Sequence, residues 1–153
     1  MNMKLAFTVL AAVAALSAQT AVAQTCAVPL ENIRVEGLRL GESAASFKKR
    51  FPNPREYGEY SPERMGMSDF VLMISDISLR GGKVSSFKIA FEDSDTSSAK
   101  LPAVLGKRYG LPKQGWKKAK GGYVYQCADY RLHVSQTGGD RGGIGAVLKA
   151  SVN

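Results

Sequence analysis

The chain has 153 residues, with 21 Lys+Arg against 13 Asp+Glu, a formal net charge of +8 and 44% hydrophobic residues. That length and balance exclude both a multidomain array and a disordered polyelectrolyte, leaving one basic globular domain. A single histidine further excludes imidazole metal clusters and two-histidine mechanisms.

Residues 1–23 predict an export signal. Lys4 gives a positive start, Leu5 to Leu16 is an apolar run, and Ala21-Val22-Ala23 supplies small residues for cleavage. The run is short for a bilayer core of roughly 30 Å, and no second candidate for a transmembrane span follows. The expected mature chain, residues 24–153, is a single domain of the periplasm or the secreted space. In that compartment Cys26 and Cys127 most simply pair, closing a loop of about 100 residues. A rival reading makes Cys26 a lipid-modified first residue. Against it, Ala23-Gln24-Thr25 lacks the small-residue pattern, and Cys127 is left odd.

Turn signals organise the mature chain. Ile33 to Leu40 alternates loosely and predicts a first strand. Ser43 then caps a short helix whose Phe47 and Phe51 fall on one face, and Pro52 and Pro54 end it. Residues 53–68 form a long connection carrying Tyr57 and Tyr60, and connections of that length are commonly functional. Asp69 to Arg80 and Lys83 to Glu92 predict a hairpin about Gly81-Gly82, with Leu79 opposite Val84, Ile74 opposite Ile89 and Leu72 opposite Phe91. The apolar parity shifts between Ile74 and Ile77, which predicts a bulge there.

A polar break from Glu92 to Ser98, ending in cap residues, leads to a second helix. Its stripe is Leu101, Val104, Leu105 and Tyr109, with Pro102 in the first turn and Gly110 as the C-terminal stop. Beyond it, Tyr123, Tyr125 and Cys127 alternate up to the turn Ala128-Asp129, and Tyr130, Leu132 and Val134 alternate after it. These six share one apolar face, and Arg131, His133 and Ser135 point away. A glycine-rich connection over 137–143 precedes a last strand carrying Ile144, Ala146, Leu148 and Ala150.

Phe47-Lys48-Lys49-Arg50-Phe51 and Leu105-Gly106-Lys107-Arg108-Tyr109 are similar in pattern, each ending a helix ahead of strands. Two readings stand: a tandem duplication with half-units 33–92 and 97–150, or the common look of amphipathic helix ends. Either way the expected architecture is α+β, with short helices on one face of an antiparallel meandering sheet.

Leu38-Arg39-Leu40-Gly41-Glu42-Ser43, running into Phe47 and Phe51-Pro52, resembles the helix opening of the small outer-membrane assembly lipoproteins and of β-lactamase-inhibitory-protein-like modules. The strand pair around Gly81-Gly82-Lys83-Val84 is similar too. The resemblance covers residues 33–92, with an echo in 97–150, and implies a secreted α+β binding scaffold whose sheet meets protein partners. The chain departs from the lipoproteins in lacking a lipid-attachment motif, and no functional residue of either family maps onto it.

Chemistry-bearing residues are sparse. His133 with Ser135 or Asp129 formally suits a hydrolase, but a Gly-x-Ser-x-Gly elbow is absent. Glu92, Asp93 and Asp95 lack calcium-loop spacing, and residues 137–143 lack the phosphate-loop ending. Lys107, Arg108, Lys113, Lys117, Lys118 and Lys120 are the best lead, because no acidic residue occurs between Asp95 and Asp129. Trp116 and Tyr123 interleave these charges, and the combination suits an anionic partner. Trp116 reads equally as a core residue under the helix, and the basic face as an aid to solubility.

The sequence therefore predicts an exported, non-enzymatic binding protein without metal or cofactor. The expected partner is an acidic protein or envelope component, met by the 107–120 segment. Nucleic acid is demoted by the export signal. The runner-up is a secreted enzyme inhibitor inserting Tyr57 and Tyr60, and a third reading is the small hydrolase.

Overall fold

The computed structural model describes residues 24–52, 71–92, 97, 99–138 and 144–153. The export segment, the 53–68 connection with Tyr57 and Tyr60, and most of the two polar connections at 93–98 and 139–143 lie outside the described residues.

The predicted first strand is instead a small hairpin, β1 (Arg34–Val35) and β2 (Leu38–Arg39). Glu36 and Gly37 both take positive φ, 49° and 82°, which matches the twist of a two-residue hairpin turn. The apolar parity also flips there: Ile33 and Val35 precede the turn, Leu38 and Leu40 follow it, and all four are buried. Helix α1 (Ala44–Arg50) follows, with the Ser43 hydroxyl accepting from the Ser46 amide at 3.2 Å. A further orphan donor at this helix start, the Ala44 amide, reaches Gly82 O at 2.8 Å. Burial pushes the Glu42 carboxyl up, but hydrogen bonds from Ser46 and Arg50 and the charges of Arg50 and Arg39 outweigh it. Glu42 therefore titrates below the usual carboxylate range.

Strands β3 (Val71–Arg80) and β4 (Lys83–Glu92) form the predicted hairpin about Gly81 and Gly82, both at positive φ. Leu79 lies opposite Val84 and Ile74 opposite Ile89, as expected, whereas Phe91 faces Val71 and not Leu72 because the register shifts near the strand start. The expected bulge falls between Ser75 and Ser78, where Asp76 adopts a φ of 53°. Helix α2 (Leu101–Tyr109) begins at Lys100 with no side-chain cap. It relies on Pro102 in its first turn and stops at Gly110 in the left-handed conformation.

The remaining strands are β5 (Lys117–Ala119), β6 (Gly122–Gln126), β7 (Tyr130–Gly138) and β8 (Ile144–Val152). Strand β5 has no counterpart among the predicted elements, because this short edge lacks an apolar alternation. The order β3-β4-β8-β7-β6-β5 makes a six-stranded sheet, antiparallel at every pairing. Thus β5 to β8 meander, and the last strand returns to join the β3–β4 hairpin.

One face of this sheet carries the core. Tyr125, Leu132, Ala150 and Phe87 form one cross-strand row, and Val134, Leu148, Ile89 and Ile74 the next; all are buried. Phe47 of α1 and Leu101 and Leu105 of α2 belong to the same apolar cluster. The Tyr109 hydroxyl donates to Glu36 at 2.6 Å, tying α2 to the β1–β2 turn, and burial together with this bond raises its pKa.

Cys26 and Cys127 are bridged across a sequence separation of 101. In the chain-entropy model a loop of that length has a ceiling of about 4.7 kcal/mol. Around the bridge, Ala27 N donates to the Tyr125 hydroxyl at 2.9 Å and the Tyr130 hydroxyl donates to Val28 O at 2.8 Å. Asn153 closes the same end, its side-chain amide donating to Cys127 O and Ala128 O at 2.7 and 2.8 Å. No helix among the described residues is long and apolar enough to cross a membrane.

Gly122 is the tightest point of the sheet. A Cβ there would lie 1.9 Å from Val134 O, a backbone atom that cannot swing away. Gly122→Ala should therefore cost about 3 kcal/mol or more by separating β6 from β7. Chemical denaturation measures this, and a loss within about 0.5 kcal/mol would show that the strands part without cost.

Candidate anion-binding surface

The six basic side chains between 107 and 120 do not form one patch. Lys107 and Arg108 are exposed in the last turn of α2, where they complement the helix dipole. Lys107 and Lys113 line one shallow depression with Gly106 and Gly110, beside the helix end. Arg108 lies against the neighbouring Tyr109 ring, 5.7 Å from its centroid. Lys117 and Lys118 are successive residues of β5, so they project to opposite faces of the sheet. Lys120 is exposed in the β5–β6 turn beside Gly121, whose φ is 79°.

Trp116 takes the core-side position. It is half-buried against the apolar cluster, its ring centroid is 5.9 Å from that of Tyr125, and its indole N–H donates to Pro112 O at 2.7 Å. Its polar edge is thus satisfied within the chain.

The opposite face of the sheet assembles a set that the sequence pattern alone did not bring together. Register places Lys117, Val124, His133, Lys149 and Lys88 side by side on β5, β6, β7, β8 and β4, in one row across the strands. The row continues to Ser75 on β3, which is 5% exposed and whose hydroxyl has no hydrogen-bond partner among the described residues. Arg131, two residues from His133 on β7, projects from the same face. Lys117, Arg131 and Lys149 are exposed, while His133 and Lys88 are half-buried.

One of these contacts is electrostatically unfavourable, and a second becomes so when the imidazole is protonated. Lys149 stands directly between His133 and Lys88, and like charges facing each other across strands destabilise a sheet. The acids on this face among the described residues are Asp76, whose carboxylate lies 3.5 Å from Lys88 Nζ, and Glu92. Glu92 is four positions along β4 from Lys88, roughly 13 Å away. Burial first, then the charges of Lys149 and Arg131, hold the His133 imidazole below its ordinary value of 6.5.

His133 makes no hydrogen bond to Ser135 or Asp129 among the described residues, and the two β7 residues simply alternate outward along one strand. No group of three or more His, Cys, Asp or Glu side chains among the described residues is placed to hold a metal ion. Comparison of the chain with protein-family models, with curated proteins and with solved structures returns no match.

The lowered imidazole pKa has a definite sign. The unfolded chain takes up the proton more readily, so stability is fully present above the ordinary value of 6.5 and is lost as pH falls from there through the folded value. Lys149→Gln should raise the His133 pKa and shrink this loss. Imidazole resonances of the sole histidine, followed by NMR against pH, check both; an unchanged pKa would show that Lys149 exerts no field there.

Proposed function

We propose that the chain is an exported, non-catalytic binding protein of the cell envelope that engages an anionic partner through basic surface residues. The partner is an acidic envelope component or protein, and neither cofactor nor nucleic acid is required. One observation carries this reading: no ion pair among the described residues involves Lys107, Lys113, Lys117, Lys118, Lys120, Arg131 or Lys149. Unpaired cations in this number raise the local concentration of anions and offer sites for charge-assisted hydrogen bonds.

The compartment belongs to the same proposal. The bridge between Cys26 and Cys127 fits an oxidising environment, and the sequence before Gln24 has the order of an export signal. The packing of both helices on the core-bearing face, the likeness to helix-plus-sheet binding modules and the tandem repeat complete the reading. Each helix is followed by glycine-joined strands, although α1 leads into two strands and α2 into four.

Two measurements test it. The intact mass of protein recovered from outside the cytoplasm should correspond to a chain starting at Gln24 and lacking two hydrogens for the bridge. Retention of residue 1, or two free thiols, would remove the compartment argument. Second, saturable binding should appear to at least one member of a panel of acidic polysaccharide, polyglutamate and anionic lipid vesicles. That binding should weaken steeply with added salt. Absence of binding to every polyanion at low salt would end the anion-binding reading.

A further inference from the structure

We propose that the cationic row on the face of the six-stranded sheet opposite the core is a track for a linear acidic polysaccharide, whose carboxylates are met by Lys117, His133, Lys149 and Lys88, with Arg131 beside the centre. The inference rests on the anion-binding reading above and gives it a surface and a ligand class.

The arrangement is one-dimensional. At a strand spacing of about 4.8 Å, Lys117 and Lys88 stand four intervals apart, roughly 19 Å, and His133 and Lys149 fill the middle of that span. Two strand intervals, roughly 10 Å, are close to the two-ring repeat of an extended uronate chain, so carboxylates on the same side of the chain recur at the separation of Lys117 from His133 and of His133 from Lys88, with Lys149 and Arg131 flanking them. Charge complementarity supplies what the free protein lacks: a polyanion laid along the row removes the repulsion between Lys88 and Lys149, which face each other directly.

The surroundings of the row suit a chain and disfavour other occupants. On one side the next row runs Gln126, Arg131, Ser151 and Ser86; on the other it runs Gly122, Ser135, Val147, Ala90 and Met73, of which Val147 is buried. Apart from Arg131, Gln126, Met73 and the buried Val147, these neighbours of the row are small, and Lys117, Arg131 and Lys149 are the exposed cations among them. Among the described residues no Phe, Tyr or Trp projects from this face, and Met73 on the far edge strand is its one exposed large apolar side chain. A protein interface depends on buried aromatic anchors, single-stranded nucleic acid on aromatic stacking, and an interfacial helix on an apolar wedge. A carboxylate chain needs none of these.

The sole histidine makes the surface directly observable. Oligogalacturonates of defined length are titrated into the mature, disulfide-bonded protein, with the His133 imidazole resonances followed by NMR and affinity by calorimetry. Binding should move the His133 resonances and raise its pKa. Affinity should climb with length up to about four or five rings, the number that spans the row at strand pitch, and flatten beyond. Lys88→Gln and Lys149→Gln should each weaken binding about two- to fivefold and lower the salt dependence, whereas Lys107→Gln with Lys113→Gln should leave it unchanged. Thermal melts of each variant confirm that the sheet is intact.

Oligogalacturonate binding that leaves His133 unmoved and is lost on neutralising Lys107 and Lys113 would overturn this surface while leaving the anion-binding reading intact. Tighter binding to polyglutamate, to single-stranded DNA or to phosphatidylglycerol vesicles, with His133 perturbed, would keep the surface and overturn the polysaccharide. Failure of every polyanion to bind would overturn both.

Discussion

The antiparallel pairing of β4 with β8 is the constraint on which the rest of the molecule depends. It runs unbroken from Ser86 opposite Ser151 to Glu92 opposite Gly145 and joins the β3–β4 hairpin to the β5–β8 meander. Because side chains alternate with a period of two, this one register decides the composition of both faces at once. On one side it sets Phe87 against Ala150 and Ile89 against Leu148, which continues the core across all the long strands. On the other it sets Lys88 against Lys149. A slip of β4 by one residue would bury Lys88 and expose Phe87, Ile89 and Phe91, so burial of these three side chains holds Lys88 opposite Lys149.

Two clamps tie the N-terminal segments to the sheet, one on the meander and one on the β3–β4 hairpin. At the Cys127 end, the bridge, the tyrosine hydroxyls of 125 and 130 and the Asn153 side chain gather residues 26–28, the β6–β7 turn and the end of β8. At the other, Gly41 and Glu42 exchange backbone hydrogen bonds with Val84, and α1 starts against the Gly81–Gly82 turn. The sheet therefore does not rely on its short edge strand β5. That strand carries lysines at successive positions, an arrangement that discourages further strands from adding to a sheet.

Legibility of the fold followed the range of the interactions. Local devices were readable: the Ser43 cap, the Gly81-Gly82 turn, the Gly110 stop and the shared face of Tyr123 to Val134 each depend on a few adjacent residues. The β1–β2 hairpin was readable in principle from the parity flip between Val35 and Leu38, but Glu36-Gly37 is a less familiar turn pair than Asn-Gly. Strand β5 was hidden because Lys117-Lys118-Ala119 has no apolar alternation, its strand character coming from pairing with β6. The candidate surface was hidden for a deeper reason. Lys88 and Lys149 lie far apart in sequence, and only the non-local pairing of β4 with β8 brings them face to face.

That pairing also changes which cations ask for an explanation. Lys107 and Arg108 have a structural role at the C-terminal end of α2, and Lys117, Lys118 and Lys120 have one as guards of an edge. Lys149 has neither. It is exposed near the centre of the sheet, opposite a second lysine and a histidine, where an uncharged residue of similar size would relieve the repulsion with Lys88 and let the imidazole take up its proton more readily. Solubility does not account for it, since a lysine on any edge or helix serves that purpose without a cross-strand cost. A group held against its own electrostatics in a well-ordered sheet is offset either by a neighbour or by a ligand. Asp76 approaches Lys88 alone, and Glu92 lies four positions along β4 from the Lys88–Lys149 pair, roughly 13 Å and beyond a screening length of about 8 Å. The charge still to be balanced lies along the His133–Lys149–Arg131 centre, and an anion resting on that centre is the arrangement that removes the imbalance with the fold unchanged.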